Sequence, residues 1–396
     1  MNPLLKEGEE VLARGLGLSC RVQASLGSGS QGEVYRVMLG SNPAALKWYF
    51  PLFAVEGQKK ALKALIAQGP PAPGFLWPLD LVQSPGKNGF GYVMPLRDLR
   101  FKSLSSLMQM RIDPTFYVLA TLGINLSHSF LQLHAKGFCY RDISFGNIFF
   151  DLETGEVSIC DNDNVAIDNG ERGGVLGTPR FMAPEIVCGE AWPSIETDLF
   201  SLSVLLFYIF VIHHPLEGKK ELNINCLDLP AMRKLYGESP VFIFDPEDHS
   251  NEPVSGHHDN ALDFWPLYPR QLKRLFTRSF TEGLHAPKDR VRESEWRNAL
   301  VRLRDSIYHY PHCRSENFYD LEILQETKGR SPSCWSCGQE TGLPARLRID
   351  KQVIMLLVGI RILRFHVDEG SEFSFSQPVA EVARLEDTLD VPGLKN

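Results

Sequence analysis

The sequence predicts an α+β chain in two lobes, followed by a small β-rich module. Three observations lead there. Short β-prone runs fill residues 20–49 and 89–94, a long amphipathic helix (114–136) and a very apolar one (202–212) dominate the middle, and alternating strands return at 345–365. A length of 396 residues gives room for one large two-lobed domain and a smaller one.

Composition narrows the function classes. Hydrophobic content is 43%, enough for a sizeable core, and a net charge of -7 argues against broad electrostatic affinity for nucleic acid. The start, Met1 to Glu10, is too acidic and its apolar run too short for a signal peptide. The longest apolar stretch, Leu202 to Ile212, falls far short of the roughly 20 residues that span a membrane. Eight cysteines are scattered except for one C-x-x-C pair, which suggests free thiols and a metal site rather than a disulfide framework. The expectation is a soluble cytoplasmic protein with neither nucleic acid nor membrane as a partner.

The chemistry concentrates in Tyr140-Arg-Asp-Ile-Ser-Phe-Gly-Asn147 and Ile159-Cys-Asp161-Asn-Asp163. Ile148–Phe150 and Val157–Ile159 read as two strands of a hairpin turning at Glu153–Gly155. A hairpin holds its two ends close, so Asp142, Asn147 and Asp161 converge. Phosphoryl transfer needs a carboxylate to orient the nucleophile and oxygen ligands for magnesium. Asp142 suits the first role, Asn147 and Asp161 the second.

This arrangement resembles the protein kinase catalytic loop, H-R-D-x-x-x-x-N, and its metal-binding D-F-G. Tyr140 stands for the His, and Asn162-Asp163 for the Phe-Gly pair. Upstream, Gly27-Ser-Gly29-Ser-Gln-Gly32 lies between two strands, and a strand rather than a helix follows it, which favours a nucleotide-covering loop over a dinucleotide site. Ala44-Ala-Leu-Lys47 resembles the V-A-I-K strand, whose lysine holds the α- and β-phosphates. Gly89 to Met94 and Pro95-Leu-Arg97 resemble the last small-lobe strand and the hinge. The resemblance implies an ATP site formed by Gly27, Gly29, Gly32, Val34, Ala45, Lys47, Met94, Pro95, Arg97 and Ile148. Val34 would lie over the adenine, Met94 at the back wall, and the backbone of Pro95 and Arg97 at the adenine edge.

Kinase lysines pair with a glutamate on the next helix. Residues 56–67 read as that helix, and Glu56 is the only acid between Lys47 and Asp80. Three readings stay open: Glu56 makes the pair, Gln58 substitutes, or the pair is absent.

Gly177-Thr-Pro-Arg-Phe-Met-Ala-Pro-Glu185 matches the end of a kinase activation segment and is the most specific motif in the chain. The resemblance implies that Thr178 contacts Asp142 and that Glu185 pairs with Arg290. It also implies that Asp198, at the start of the apolar helix, holds the catalytic loop's backbone; a helix N-cap is the alternative. His134 reads as a packed structural residue. Asp161 to Gly177 contains no Ser, Thr or Tyr, so Arg141 is expected to find a permanent anionic partner in Asp163, Asp168 or Glu171 instead of a phosphate.

The tail departs from kinases. His309-Tyr-Pro-His312-Cys313 and Cys334-Trp-Ser-Cys337 suggest the two halves of a zinc ribbon, with Tyr310 where its first cysteine belongs. Cys313, Cys334 and Cys337 would bind zinc, with His312 or His309 as the fourth ligand, or the metal is lost. Strands are expected at 347–349, 353–358 and 360–365.

The whole reads as a two-lobed protein kinase-like fold, with a small lobe at 15–97, a large lobe at 98–308 and a zinc-ribbon and β-strand tail at 309–396. The implied activity is ATP- and magnesium-dependent transfer to a protein Ser/Thr hydroxyl. An ATP-binding pseudokinase scaffold and a zinc-dependent adaptor regulated by a kinase fold are the rival readings. The Asp-Asn-Asp163 variant and the Cys-Trp-x-Cys337 tail look like bacterial kinases of stress or tellurium-resistance systems. That narrower resemblance implies a metal-dependent protein phosphatase and a von Willebrand A-domain protein as partners.

Overall fold

The computed structural model describes residues 3–84, 86–168, 174–330, 332–340, 342, 345–349, 352–368, 370–371, 373–374, 378–384 and 392–395. The first lobe is a closed barrel of β1 (Glu10–Ala13), β2 (Leu18–Ser28), β3 (Gly32–Leu39), β4 (Asn42–Tyr49), β5 (Asp80–Gln83) and β6 (Gly91–Pro95), in the order β1-β2-β3-β4-β6-β5. Pairing of β1 with β5 closes it, so the lobe begins at Glu10 rather than at residue 15. The period of two sorts the side chains. Tyr35, Val37, Leu46 and Trp48 fill the interior. Ala45 and Tyr49 face the other way and pack with Tyr92, Met94 and Leu62 of α1 (Glu56–Gln68). Lys47, between Ala45 and Tyr49, shares their face. Gly89 and Phe90 precede β6 rather than opening it.

The second lobe is built on helices. After β7 (Phe101–Ser103) and α2 (Leu104–Met108) comes α3 (Phe116–Ala135), where the Thr115 hydroxyl caps the N–H of Val118. β8 (Phe138–Cys139) leads into the catalytic stretch, and β9 (Ile148–Asp151) pairs with β10 (Val157–Ile159) with Ile148 opposite Ile159. The expected hairpin is present, with β7 added to its outer edge.

Next, β11 (Ala166–Ile167) pairs with β8, and α4 (Pro184–Val187) precedes α5 (Ile195–Val211). α5 starts seven residues before the apolar run, at a Ser194–Thr197 capping box, and every residue from Thr197 to Val211 is buried. Asp198 is therefore not the cap. Short helices and loops fill 214–265, and the last long helix runs Glu293–Asp305.

The tail docks on the second lobe. Strands Ile307–His309 and Glu316–Phe318 pair, and the Glu316 carboxylate accepts N–H groups of Phe116 and Tyr117 at the start of α3. Phe318 and Trp335 pack on Phe116, with ring centroids 5.1 and 6.1 Å away. Arg346–Ile349 pairs with Gln352–Met355, a shorter second strand than expected. The third, Arg361–Leu363, pairs with Pro378–Arg384 and stops early. Arg364–Val367 is helical, because the buried His366 turns back to accept the Leu363 N–H through Nδ1. Among the described residues no helix is long and apolar enough to cross a membrane.

Candidate active site

The catalytic stretch is suspended from α5. The Asp198 carboxylate accepts the backbone N–H groups of Tyr140 and Arg141, the latter at 3.0 Å, as the motif led one to expect. His134 of α3 bridges Asp198, at 3.2 Å, and Glu293 of the closing helix. Burial opposes the charged ring, yet the bonds to Asp198 and Glu293 raise His134 to about 9. It is a structural cation behind the loop. Tyr140, where the motif carries a histidine, is fully buried against Phe130 and donates its hydroxyl to the Cys160 carbonyl. One side chain thus ties the catalytic stretch to the residue before Asp161.

Asp142 is held on both oxygens. Thr178 Oγ1 donates to Oδ1 at 2.7 Å and Asn147 Nδ2 donates to Oδ2 at 3.1 Å. Gly177 permits this approach: its φ is 116°, and a Cβ there would lie 3.1 Å from the Arg141 carbonyl. Arg141 (φ 74°) and Asp161 (φ 50°) are themselves left-handed without being glycine, the kind of strain that gathers at functional sites.

The Lys47 ammonium is almost fully buried, 2.9 Å from Asp163 Oδ2 and 3.5 Å from Asp161 Oδ1. Of the three readings for its partner, the third holds: the pair with an acid of α1 is absent. Glu56 is exposed, Gln58 contacts Tyr49 Oη and the Asp163 carbonyl, and the anion comes from Asp163. Tyr49 and Tyr92 also donate their hydroxyls to Asp163, at 2.5 and 2.9 Å. Burial works against the Asp163 charge, but Lys47 and these donors hold its carboxyl below the usual range. Asp161 goes the other way: partial burial, opposed by Lys47 and reinforced by Asp163 and Asp142, raises it. Asp163 is thus unavailable to Arg141, Asp168 accepts a backbone bond from Ile195, and Glu171 lies outside the described residues. The Arg141 side chain lies against Cys139 and Gly174.

Between the lobes lies a cleft of about 390 Å³. Its walls include Gly27, Gly29, Val34, Ala45, Met94, Pro95 and Arg97, and its floor includes Asn147 and Asp161. Three expected residues do not line it: Lys47 is buried behind the floor, 3.5 Å from Asp161, and two other assignments need correction. Gly32 is absent from the lining: it faces β4, where a Cβ would sit 2.2 Å from the Trp48 carbonyl, so it serves strand packing. Ile148 is also absent, being fully buried in the large-lobe core, while the next residue, Phe149, turns to the cleft with the Arg97 guanidinium 3.9 Å above its ring. Gln31 was not singled out by the motifs. It accepts from Lys47 at 3.2 Å and donates to Asn164 at 3.2 Å, tying the glycine loop across the cleft.

The cleft fits a nucleotide with a cation. Its upper walls are apolar, and Asn147, whose amide nitrogen is taken by Asp142, keeps its carbonyl oxygen for a cation beside the 40%-exposed Asp161 carboxylate. On the far side, Arg290 donates to both Glu185 oxygens at 2.8 Å and to the carbonyls of Gly283 and Glu196, as predicted for this pair. In the tail, the sulfurs of Cys313, Cys334 and Cys337 lie within 4.8 Å of one another. His312 is exposed and His309 meets Glu316 at 4.0 Å; neither joins that cluster. Tyr310, in the place of the missing cysteine, is buried and donates to the Gln339 carbonyl.

Residues 104–276 match the family model described as the protein kinase domain. Over 198 residues the chain is 28% identical to ribosomal protein S6 kinase alpha-1 of Homo sapiens, covering 45% of this chain and 26% of that one. It is 30% identical over 250 residues to serine/threonine-protein kinase pakH of Dictyostelium discoideum, covering 60% and 45%. The match reaches 30% over 119 residues for a probable serine/threonine-protein kinase of Zea mays, of which it spans 19%. The chain thus spans less than half the length of these curated relatives. Over residues 104–276 the chain is thus similar to the protein kinase domain, and the relatives it matches are named as protein kinases, those of Dictyostelium discoideum and Zea mays as serine/threonine-protein kinases.

Proposed function

We propose that this chain transfers the γ-phosphoryl group of ATP to a Ser or Thr hydroxyl of a protein, with magnesium. The observation that carries the reading is the convergence of Asp142, Asn147, Asp161 and Lys47 at one end of an apolar interlobe cleft. Asp142, fixed by Thr178 and Asn147, accepts a hydrogen bond from the acceptor hydroxyl and orients its oxygen for in-line attack. Lys47 neutralises phosphate charge, while Val34, Ala45 and Met94 enclose the base. Asp161 and Asn147 would hold magnesium, which neutralises the charge developing on the transferred group. The scaffold reading lacks its usual support, because none of the four polar groups is lost.

The test is incubation with γ-labelled ATP and a generic protein acceptor, with and without magnesium. Acid-stable phosphoserine or phosphothreonine that disappears without magnesium is expected. Labelled phosphotyrosine alone would overturn the hydroxyl assignment.

The tail reading is a structural zinc knuckle. Three clustered thiols, two of them with sulfurs 3.5 Å apart, suit a thiolate-rich site whose fourth ligand comes from outside the cluster. Purified protein should carry about one equivalent of zinc. Cys334→Ser should release it and make residues 309–340 protease-sensitive while the two lobes melt as before. A metal-free, protease-resistant tail would remove this assignment. A metal-dependent phosphatase and a von Willebrand A-domain protein, implied by the narrower resemblance, would then be candidate partners that remove the phosphoryl group or assemble with the tail.

A further inference from the structure

We infer that Asp163, not an acid on α1, is the residue that positions Lys47 for the nucleotide phosphates, so that the lysine and the Asp161 carboxylate are governed by one segment. The inference rests on the kinase reading and deepens it.

The small-lobe sheet is built to receive this carboxylate. Lys47 and Tyr49 are two apart on β4 and share a face, and Tyr92 is the cross-strand partner of Lys47 on β6. Their three polar heads converge on Asp163: Lys47 Nζ lies 3.0 and 2.9 Å from its two oxygens, Tyr49 Oη 2.5 Å and Tyr92 Oη 2.9 Å. A buried carboxylate is tolerated only when its oxygens are met this way. Both residues of the ion pair are buried, and four donor contacts are made.

α1 offers no competing anion. Its one acidic residue, Glu56, is exposed at the first turn. Its contact with the site is Gln58, a neutral amide that donates to Tyr49 Oη at 3.1 Å and to the Asp163 carbonyl at 3.2 Å. The helix therefore buttresses the pair without contributing charge to it.

The consequence concerns control. Protein kinases require two separate conditions, the lysine–helix glutamate pair and the placement of the metal-binding aspartate. Here Asp161 and Asp163 are joined by Asn162 within one short turn, Asn162–Asn164, entered through the left-handed Asp161. A displacement of that turn removes the lysine's partner and the metal carboxylate together. A displacement of α1 removes only a neutral contact.

The test uses the full chain and reads kcat and KM for magnesium ATP, with the dissociation constant of a fluorescent ATP analogue measured in parallel. Asp163→Asn should lower kcat/KM about 100-fold, with most of the loss in nucleotide KM and dissociation constant. Glu56→Gln should stay within about 2-fold of wild type, as expected for an exposed residue without a role in the pair. Adding Gln58→Glu to Asp163→Asn places a carboxylate on α1 beside the same donors and should recover about 10-fold; a merely structural loss would not be rescued. Wild-type kinetics in Asp163→Asn, or a loss in Glu56→Gln equal to that expected of Asp163→Asn, would overturn the inference. Should Asp163→Asn not fold, Glu56→Gln still decides: its activity supports Asp163, and its inactivity refutes it. Nucleotide binding without phosphoryl transfer in wild type would defeat the kinase reading alone, because the dissociation constants still report on Asp163.

Discussion

Asp142→Asn should lower phosphoryl transfer by about 10³-fold while leaving nucleotide affinity within about 3-fold of wild type, the pattern for loss of a group that acts on the attacking hydroxyl. The asymmetry follows from geometry. Asp142 bonds Thr178 and Asn147 at the cleft floor and is not part of the cleft lining, so its amide should keep the local fold and lose the charge. Asp161→Asn should behave differently, weakening magnesium-dependent nucleotide binding as well as turnover, since Asp161 lies in the cleft beside Lys47. Equilibrium binding with and without magnesium, beside steady-state transfer, separates the two. Equal loss of binding in both variants would contradict the division of roles.

Arg290→Leu should cost about 3–5 kcal/mol of stability, the usual effect of leaving one member of a buried ion pair alone. Its guanidinium is 1% exposed and satisfies both Glu185 oxygens and two backbone carbonyls, so a leucine strands four acceptors. For a domain of this size that corresponds to a fall in melting temperature of about 5–8 °C. The damage should also reach the site, because Glu185 closes the segment that presents Thr178 to Asp142. Calorimetry of Arg290→Leu, Glu185→Gln and the double variant gives the coupling directly; melting within about 1 °C of wild type would show that the pair carries little.

The parts of the fold visible in the sequence are those set by local period and punctuation. α3 announced itself through its apolar spacing and Gly137, and α5 through its continuous apolar run. The Asp142, Thr178, Glu185 and Arg290 contacts were legible because their motifs are long and ordered. The Lys47 partner was not. Asp163 lies 116 residues downstream of Lys47, and what makes it acceptable there is two tyrosine hydroxyls that carry no motif signal of their own. A retrospective clue did exist: an acid at the motif's glycine position, in a chain almost without acids on α1. Ile148 failed for a different reason. Strand side chains alternate, so the register that seats Ile148 opposite Ile159 in the core turns Phe149 to the cleft, and one residue of parity decides it. In the tail, the side chain of His366 ended a strand that propensity alone would have extended through Phe365.

The central claim is that this cleft moves a phosphoryl group and does not only hold a nucleotide. It is tested most directly by following the γ-phosphorus of magnesium ATP in a single turnover, with wild-type chain in excess over nucleotide and a protein acceptor present. The account predicts that the label leaves ATP and appears on a Ser or Thr oxygen of the acceptor or of the chain itself. Label that stays on ATP while the nucleotide is bound would contradict it.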